Sequence, residues 1–424
     1  MSFGSSVRWI PFSAGLPEAG QWRDGIALAD LNGDHRLDIV VSPARKSGGV
    51  PLFFSHDGST WMRVPMQFPR RPYDYGDIAV GDLNGDRWPD VALGIHLRGL
   101  MAFHGGADRF VDASAGLPFS TRNDAPAFSS RAIALADCNN DERLDIIALG
   151  EGPRLGSLTE AEDAVAVGIA TFVQGANASD GRAWTLKRDE KSVSEGVFGG
   201  SIAVGDIDGD GRVDLAIASG TLGDSRLWYR GGEGCTWSAQ AIDLVPPRSY
   251  ITSIAVADLI TDINNDDTRD EIIVGYLEFA TDQPMTGVDV LARTRDGVWS
   301  RHPLMREPGR ARVEAIGSGD FNGDGKRDVA VVGKQGTTTI YLGNGRGLFW
   351  RDRQTIASPD SCEGSMIATG DLDGDGLSDL IIGYAQEGDV NCKNQGAIAA
   401  WKSSKVSEPD GFRWKKSQIS TPNP

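Results

Sequence analysis

One nine-residue pattern recurs seven times along the chain and restricts its fold more than any other feature. The clearest copy is Asp371-Leu372-Asp373-Gly374-Asp375-Gly376-Leu377-Ser378-Asp379, with oxygen-bearing side chains at positions 1, 3, 5 and 9. Three further copies place such groups at Asp30, Asn32, Asp34 and Asp38, at Asp82, Asn84, Asp86 and Asp90, and at Asp137, Asn139, Asp141 and Asp145. The remaining three use Asp206, Asp208, Asp210 and Asp214, then Asp262, Asn264, Asp266 and Asp270, then Asp320, Asn322, Asp324 and Asp328. Side chains at positions 1, 3 and 5 of a tight turn converge on one point. Position 9 closes the shell, and position 7 adds a backbone carbonyl, here from Arg36, Trp88, Arg143, Arg212, Thr268, Lys326 and Leu377. All-oxygen donors in a flexible turn suit Ca²⁺ better than Mg²⁺, which demands a stricter octahedron. Glycines at positions 4 and 6 permit the positive φ of such a turn.

Two copies deviate. The third has Asn140 and Glu142 where glycines usually stand, which predicts weaker binding or none. The fifth is preceded by Asp258-Leu259-Ile260-Thr261, so Asp258 competes with Asp262 for position 1. Asp262 keeps the register with 264, 266 and 270 and is the expected start.

The flanks exclude an EF-hand, which needs a bidentate Glu at position 12 and a following helix. Position 12 is Val41 in the first copy and Ile382 in the last. Each loop instead leads from one short apolar run into another, as in Ile202-Ala203-Val204-Gly205 before the fourth and Asp214-Leu215-Ala216-Ile217 at its end. Strand, loop, strand is a hairpin with the cation at its tip. A third apolar run follows, and then a fourth that opens near an aromatic: Trp61, Phe110, Trp184, Trp237, Trp299, Trp350 or Trp414. Four strands per unit, repeated seven times, predict an all-β fold: a seven-bladed β-propeller of four-stranded antiparallel blades, filling residues 1–424 as one domain. Strands at 7–12 and 412–419 both read as outer strands, one more than seven blades need, so one of them is expected beside the last blade, closing the ring.

With these loops the chain resembles the FG-GAP (or VCBS) repeat family, whose best-known members are the integrin α-subunit propellers. The family's name motif is visible once, at Phe198-Gly199-Gly200-Ser201. The resemblance covers nearly the whole chain. It implies calcium in the loop joining the first two strands of each blade. It also implies that the loops between second and third strands share the opposite face with the connections between blades. The insertion after the second strand of blade 3, from Glu151 to Ala164 and with one short helical turn, falls on that face.

The net charge of −17 is explained by the loops, of which five carry three carboxylates and two carry four. Seven divalent ions would cancel most of it. With no basic run and the wrong sign for phosphate, nucleic acid is excluded as a partner. No stretch approaches the ~20 apolar residues of a membrane helix, so no membrane insertion is expected. Extracellular calcium modules work at ~10⁻⁴–10⁻³ M calcium, which favours an extracellular, cell-surface or periplasmic setting. The start lacks the features of a signal peptide, so a cytoplasmic one stays open. Cys362 and Cys392 are expected in loops on one face of the last blade and are a candidate disulfide, with two unrelated thiols as the alternative. Cys138 sits at position 2 of the third loop, with no metal role.

The loops are read as structural, since catalysis by a metal needs an open position beside a general base. The five histidines form no metal-binding pair. His35 lies at position 6 of a loop, facing solvent. His96 follows the second strand of blade 2, on the face opposite the loops. In the connections between blades lie Trp22, Tyr73, Tyr75, Phe119, Phe128 and Tyr250, with Arg70, Arg71, Arg248, Arg310 and Arg312 nearby. Aromatic faces beside polar groups suit a sugar or a protein hot spot, while the plainer reading packs them in the seams between blades. Trp22, Tyr73, Tyr75, His96, Arg248 and Tyr250 are the candidate ligand residues. Asn177-Ala178-Ser179 matches a glycosylation sequon. Three function classes follow: a non-catalytic binding or adhesion module for a glycan or protein, a dedicated lectin, and a carbohydrate-active enzyme of lyase or dehydratase type. The last would need Lys, Arg, Tyr or His gathered in one pocket, and no run of sequence shows one.

Overall fold

A computed structural model describes residues 6–405, apart from 46–48, 72, 121–127, 153–166, 176–183, 222–223, 262–268, 280–282, 334–335, 360–361 and 387–391. The described strands form seven four-stranded antiparallel sheets. In blade 1 the strands run Ile26–Ala29, Asp38–Val41, Leu52–His56 and Trp61–Arg63 from the inside out. Here they are called A to D. The innermost strands of successive blades touch in a ring that closes from Glu363–Gly370 of blade 7 back to Ile26–Ala29.

Burial follows strand position. Strand B is buried along its length, as in Asp90–Ile95 and Asp379–Ala385, because neighbouring blades cover both of its faces. It therefore reads as an unbroken apolar run. Strand A, which borders the axis, is only half-buried, as in Ser201–Gly205. Strand D is mostly turned to solvent, as Trp184–Arg188 is beyond its buried tryptophan.

The N-terminal strand, Val7–Pro11, pairs antiparallel with Gly396–Lys405 and serves as strand D of blade 7. The ring is thus closed by its first strand, and the expected strand at 412–419 lies outside the described residues.

The pentapeptide after that strand, Ser13-Ala14-Gly15-Leu16-Pro17, recurs at Ser114–Pro118, and both copies make one clasp. The Ser hydroxyl binds the backbone of strand C of its own blade, Ser13 at Ala400 and Ser114 at Ala102. The Ala carbonyl accepts the N–H of a tryptophan that opens strand D of the next blade, Ala14 from Trp61 and Ala115 from Trp184. The indoles of these tryptophans donate to Phe12 and Ala113. Gly15 and Gly116 have φ of +93° and +96°, and a Cβ on them would stand 2.0 and 2.4 Å from the Trp61 and Trp184 carbonyl oxygens. Gly15→Ala and Gly116→Ala are each expected to cost more than about 1 kcal/mol, read as a lower midpoint in urea unfolding. An unchanged midpoint would deny the clasp its role.

Two disulfides are present. Cys362–Cys392 joins two loops of blade 7, as expected. Cys138–Cys235 links the loop of blade 3 to the C–D turn of blade 4, a pairing that their separation of 97 residues hid in the sequence.

Candidate functional site: cation loops on one face, a polar cleft on the other

Six of the seven loops are described well enough to compare, and they share one hydrogen-bond scheme. In five of them the position-1 carboxylate gathers the N–H groups of positions 4 to 6, while Asp137 of the third takes those of positions 5 and 6. Asp30 accepts from Gly33 at 2.7 Å, Asp34 at 3.1 Å and His35 at 2.8 Å. Asp371 does the same with Gly374, Asp375 and Gly376. Position 3 accepts from the N–H of position 5, and position 5 from that of position 7, as at Asp34 and Arg36. Positions 4 and 6 have positive φ in all six loops, including the non-glycine residues His35, Arg87, Asn140 and Glu142. The third loop therefore keeps the shared backbone despite lacking both glycines.

The position-9 Asp opens strand B and is buried in every described copy. One of its oxygens accepts the position-2 N–H, from Leu31 to Asp38 and from Leu372 to Asp379, both at 2.9 Å. Burial is the main force on these carboxyls. It pushes Asp38, Asp90, Asp328 and Asp379 up to about 7, and Asp145 and Asp214 up to about 6, helped by the other loop carboxylates.

The fifth copy corrects the expected register. Glu271, not Asp270, opens strand B. Its carboxylate accepts from Leu259 and Ile260 at 2.8 and 2.9 Å, the role that position 9 plays elsewhere. Leu259 is buried as the position-2 residues are, which aligns Asp258 with position 1. Asp270 turns its carboxylate to the Asp206 N–H of blade 4 instead. Asp262, Asn264, Asp266 and Thr268 lie outside the described residues.

The donors fit a hard cation. Carboxylate oxygens of Asp206, Asp208 and Asp210 lie within 4.8 Å of one another, as do those of Asp371, Asp373 and Asp379. These are the two copies with Asp rather than Asn at position 3, and each carries a basic neighbour there. Lys402 Nζ stands 3.3 Å from Asp373, and Arg293 stands 3.7 Å from Asp208, which also accepts the Tyr229 hydroxyl at 2.6 Å. Where position 3 is Asn, its amide donates to the position-5 carboxylate instead, Asn84 to Asp86 at 3.0 Å.

On the opposite face each blade contributes one polar residue from the start of strand A or just before it. Asp24, Asp77, Arg131, Ser201, Thr252, Glu314 and Ser365 line one axial cleft of about 720 Å³, with Arg23, Glu151, Tyr250 and Arg312. At its blade 2–3 edge Glu151 is the organiser. It accepts from Ser129 at 2.6 Å, meets His96 Nδ1 at 2.7 Å and pairs with Arg131 at 2.9 Å. His96 in turn lies against Tyr75, ring centres 4.8 Å apart, with Arg45 over the Tyr75 ring at 5.2 Å. Asp24 is 3.8 Å from Arg131, and its Oδ2 is buried without a hydrogen-bond partner. Burial raises both Asp24 and Asp77, the latter to about 7.

The structure therefore sorts the candidate ligand residues. Tyr75 and His96 come together beside the cleft, and Tyr250 lines it. Arg248 is exposed in the turn entering blade 5. Trp22 and Tyr73 are corrected to core residues. Trp22 is buried, donates its indole N–H to Ala19 and packs with Phe12 and Ile398. Tyr73 is buried against Phe68 and Phe103, with its hydroxyl on the Pro69 carbonyl. Asp24, Asp77, Arg131 and Glu151 were missed; for the first three, a polar residue ahead of the strand-A isoleucine was the available signal.

Comparison with known proteins agrees with this architecture. An FG-GAP-like repeat matches residues 30–93 and 320–382, and an FG-GAP repeat matches 198–229 and 364–401. FG-GAP repeats are thus recognised in three stretches of the chain, 30–93, 198–229 and 320–401. Mouse integrin alpha-IIb is 26% identical to this chain over 224 residues, which is 45% of the chain and 20% of the integrin subunit. Among solved structures, BBS1N in complex with ARL6DN superposes with a TM-score of 0.53 in a lead soak and 0.50 in a mercury soak. The identities are 14% and 12%; the first match covers 96% of this chain and 98% of the other, the second 94% and 98%. At such identity the likeness is one of fold alone. Among the described residues, no helix is long and apolar enough to cross a membrane.

Proposed function

We propose that this FG-GAP propeller is a calcium-stabilised, non-catalytic binding and adhesion module that takes a glycan or protein ligand on the face opposite its cation loops. The observation that carries the reading is the axial cleft, to which all seven blades supply a polar residue. Binding sites are concave, with a few convergent polar groups, and loops held by a rigid scaffold are where function concentrates. The integrin likeness supports an adhesive role outside the cell. So do two disulfides, which persist in oxidising compartments. Screening the calcium-loaded protein against immobilised glycans and against extract from its source tests the reading. Binding that survives blockage of the cleft would overturn it.

The loops are assigned calcium and a structural role. Lys402 and Arg293 supply part of the positive charge that a cation would otherwise bring to Asp373 and Asp208. Lys402→Gln is therefore expected to tighten calcium at the last loop by about fivefold, measured by competition with a chromophoric chelator. Weaker binding would show that Lys402 supports the site rather than competing with it.

A second reading, a carbohydrate-active enzyme, is favoured by Tyr75, His96, Arg45 and Arg131 standing together beside Glu151. Release of reducing ends from polysaccharides by the wild type, lost in His96→Gln, would establish it.

A further inference from the structure

We infer that the axial cleft is a site for an uncharged carbohydrate a few sugar units long, held by alternating acid and arginine side chains around Asp24 and Arg131, with Tyr250 at its wall. The inference rests on the reading of this face as the ligand face. It goes further by naming the ligand's chemistry.

The lining makes the choice. Three arginines and four carboxylates face this one space, and they largely satisfy one another. Glu151 is saturated by Ser129, His96, Arg131 and the Leu97 N–H. Arg312 and Glu314 pair at 3.0 Å. Asp77 spends its oxygens on the N–H groups of Ile78 and Ile133. Such a cleft holds little net field, so an ionic ligand would lose its hydration without an opposite charge to replace it. An apolar ligand would strand these polar groups. A sugar hydroxyl suits them because it donates and accepts at once. It can donate to the part of the Asp24 carboxylate that stays exposed, 15% of the side chain, and accept from Arg131, which lies 3.8 Å from Asp24. The half-buried Tyr250, opposite on blade 5, adds an aromatic wall. The cleft, at about 720 Å³, is within the range of small-ligand sites.

The experiment is calorimetric titration of the calcium-loaded protein with neutral oligosaccharides of two to four hexose or N-acetylhexosamine units, and with uronate-containing oligomers of the same length. The inference expects a neutral oligomer to bind and its uronate counterpart to bind at least tenfold more weakly. It expects Asp24→Asn to weaken the neutral ligand tenfold or more at an unchanged melting temperature. Tyr250→Ala, which removes a half-buried ring outside the ion-pair network, is the second variant and should weaken the same ligand if Asp24→Asn fails to fold. Tighter binding of the uronates, or neutral binding untouched by both variants, overturns the sugar class. A protein ligand that binds and is lost in both variants also overturns it, while leaving the ligand face in place. No binding of any oligomer at millimolar concentration overturns it too.

Discussion

Chelating calcium is expected to lower the melting temperature by about 10 °C or more at pH 8. Two of the described loops bring three carboxylates within 4.8 Å of one another, and a like-charged pair at about 4 Å costs roughly 4 kcal/mol at an effective dielectric near 20. A site held at 100 times its Kd adds about 2.7 kcal/mol to stability, and several sites act on one closed ring. The pH dependence sharpens the test. The buried carboxyls of Asp38, Asp90, Asp328 and Asp379 are raised to about 7 in the cation-free loops. A raised carboxyl favours the folded state while protonated, so its contribution to the cation-free protein fades as pH climbs from about 4 through about 7. Protons compete with the cation for the same oxygens. The gap between calcium-loaded and chelated melts should therefore be wide at pH 8 and narrow at pH 5. A gap of equal size at both values, or none, would contradict the account of the loops.

Arg230→Ala is expected to destabilise the protein by about 3–5 kcal/mol, because it leaves two carboxylates without their common partner. Arg230 lies in strand C of blade 4 with no exposed surface. Its guanidinium binds Asp189 at 2.8 Å and Glu195 at 2.7 Å, both in the connection between blades 3 and 4. Asp189 also caps the short helix Glu190–Ser194, accepting from the N–H groups of Lys191 and Ser192. The loss should therefore loosen the helix and the seam together. Arg230→Met combined with Asp189→Asn and Glu195→Gln should recover part of it, since no stranded charge then remains. Urea unfolding of the two variants checks both statements. A single Arg230→Ala variant as stable as the wild type would show that water already serves those carboxylates.

The sheet architecture was legible because it depends on local, repeated signals. Each loop announces itself with four oxygen donors in fixed register, and each strand B that follows is mainly apolar beyond its opening carboxylate because both its faces are covered. The errors fall where the register is broken or the partner is distant. In blade 5 the spacing of Asp262, Asn264, Asp266 and Asp270 imitates the motif. The decisive group is Glu271, one residue later, which holds the N–H groups of Leu259 and Ile260. Asn140 and Glu142, read as a reason for weaker binding or none at the third loop, both adopt the left-handed conformation there, which Asn in particular tolerates. Trp22 and Tyr73 could not be told from surface aromatics, since the seam that buries them is made by another blade. The axial cleft was hidden for the same reason. Asp24, Asp77, Arg131 and Glu314 are far apart in sequence and meet only when the ring closes.

The most direct test of the central claim is a binding screen run twice on folded, calcium-loaded protein, once with the wild type and once with Ser365→Trp. Ser365 lines the cleft from blade 7, so a tryptophan there should fill it without touching the cation loops. The account predicts a ligand that binds the wild type and is lost in Ser365→Trp while the calcium-dependent melt stays the same. A ligand bound equally by both proteins would contradict it and move the site away from the axis.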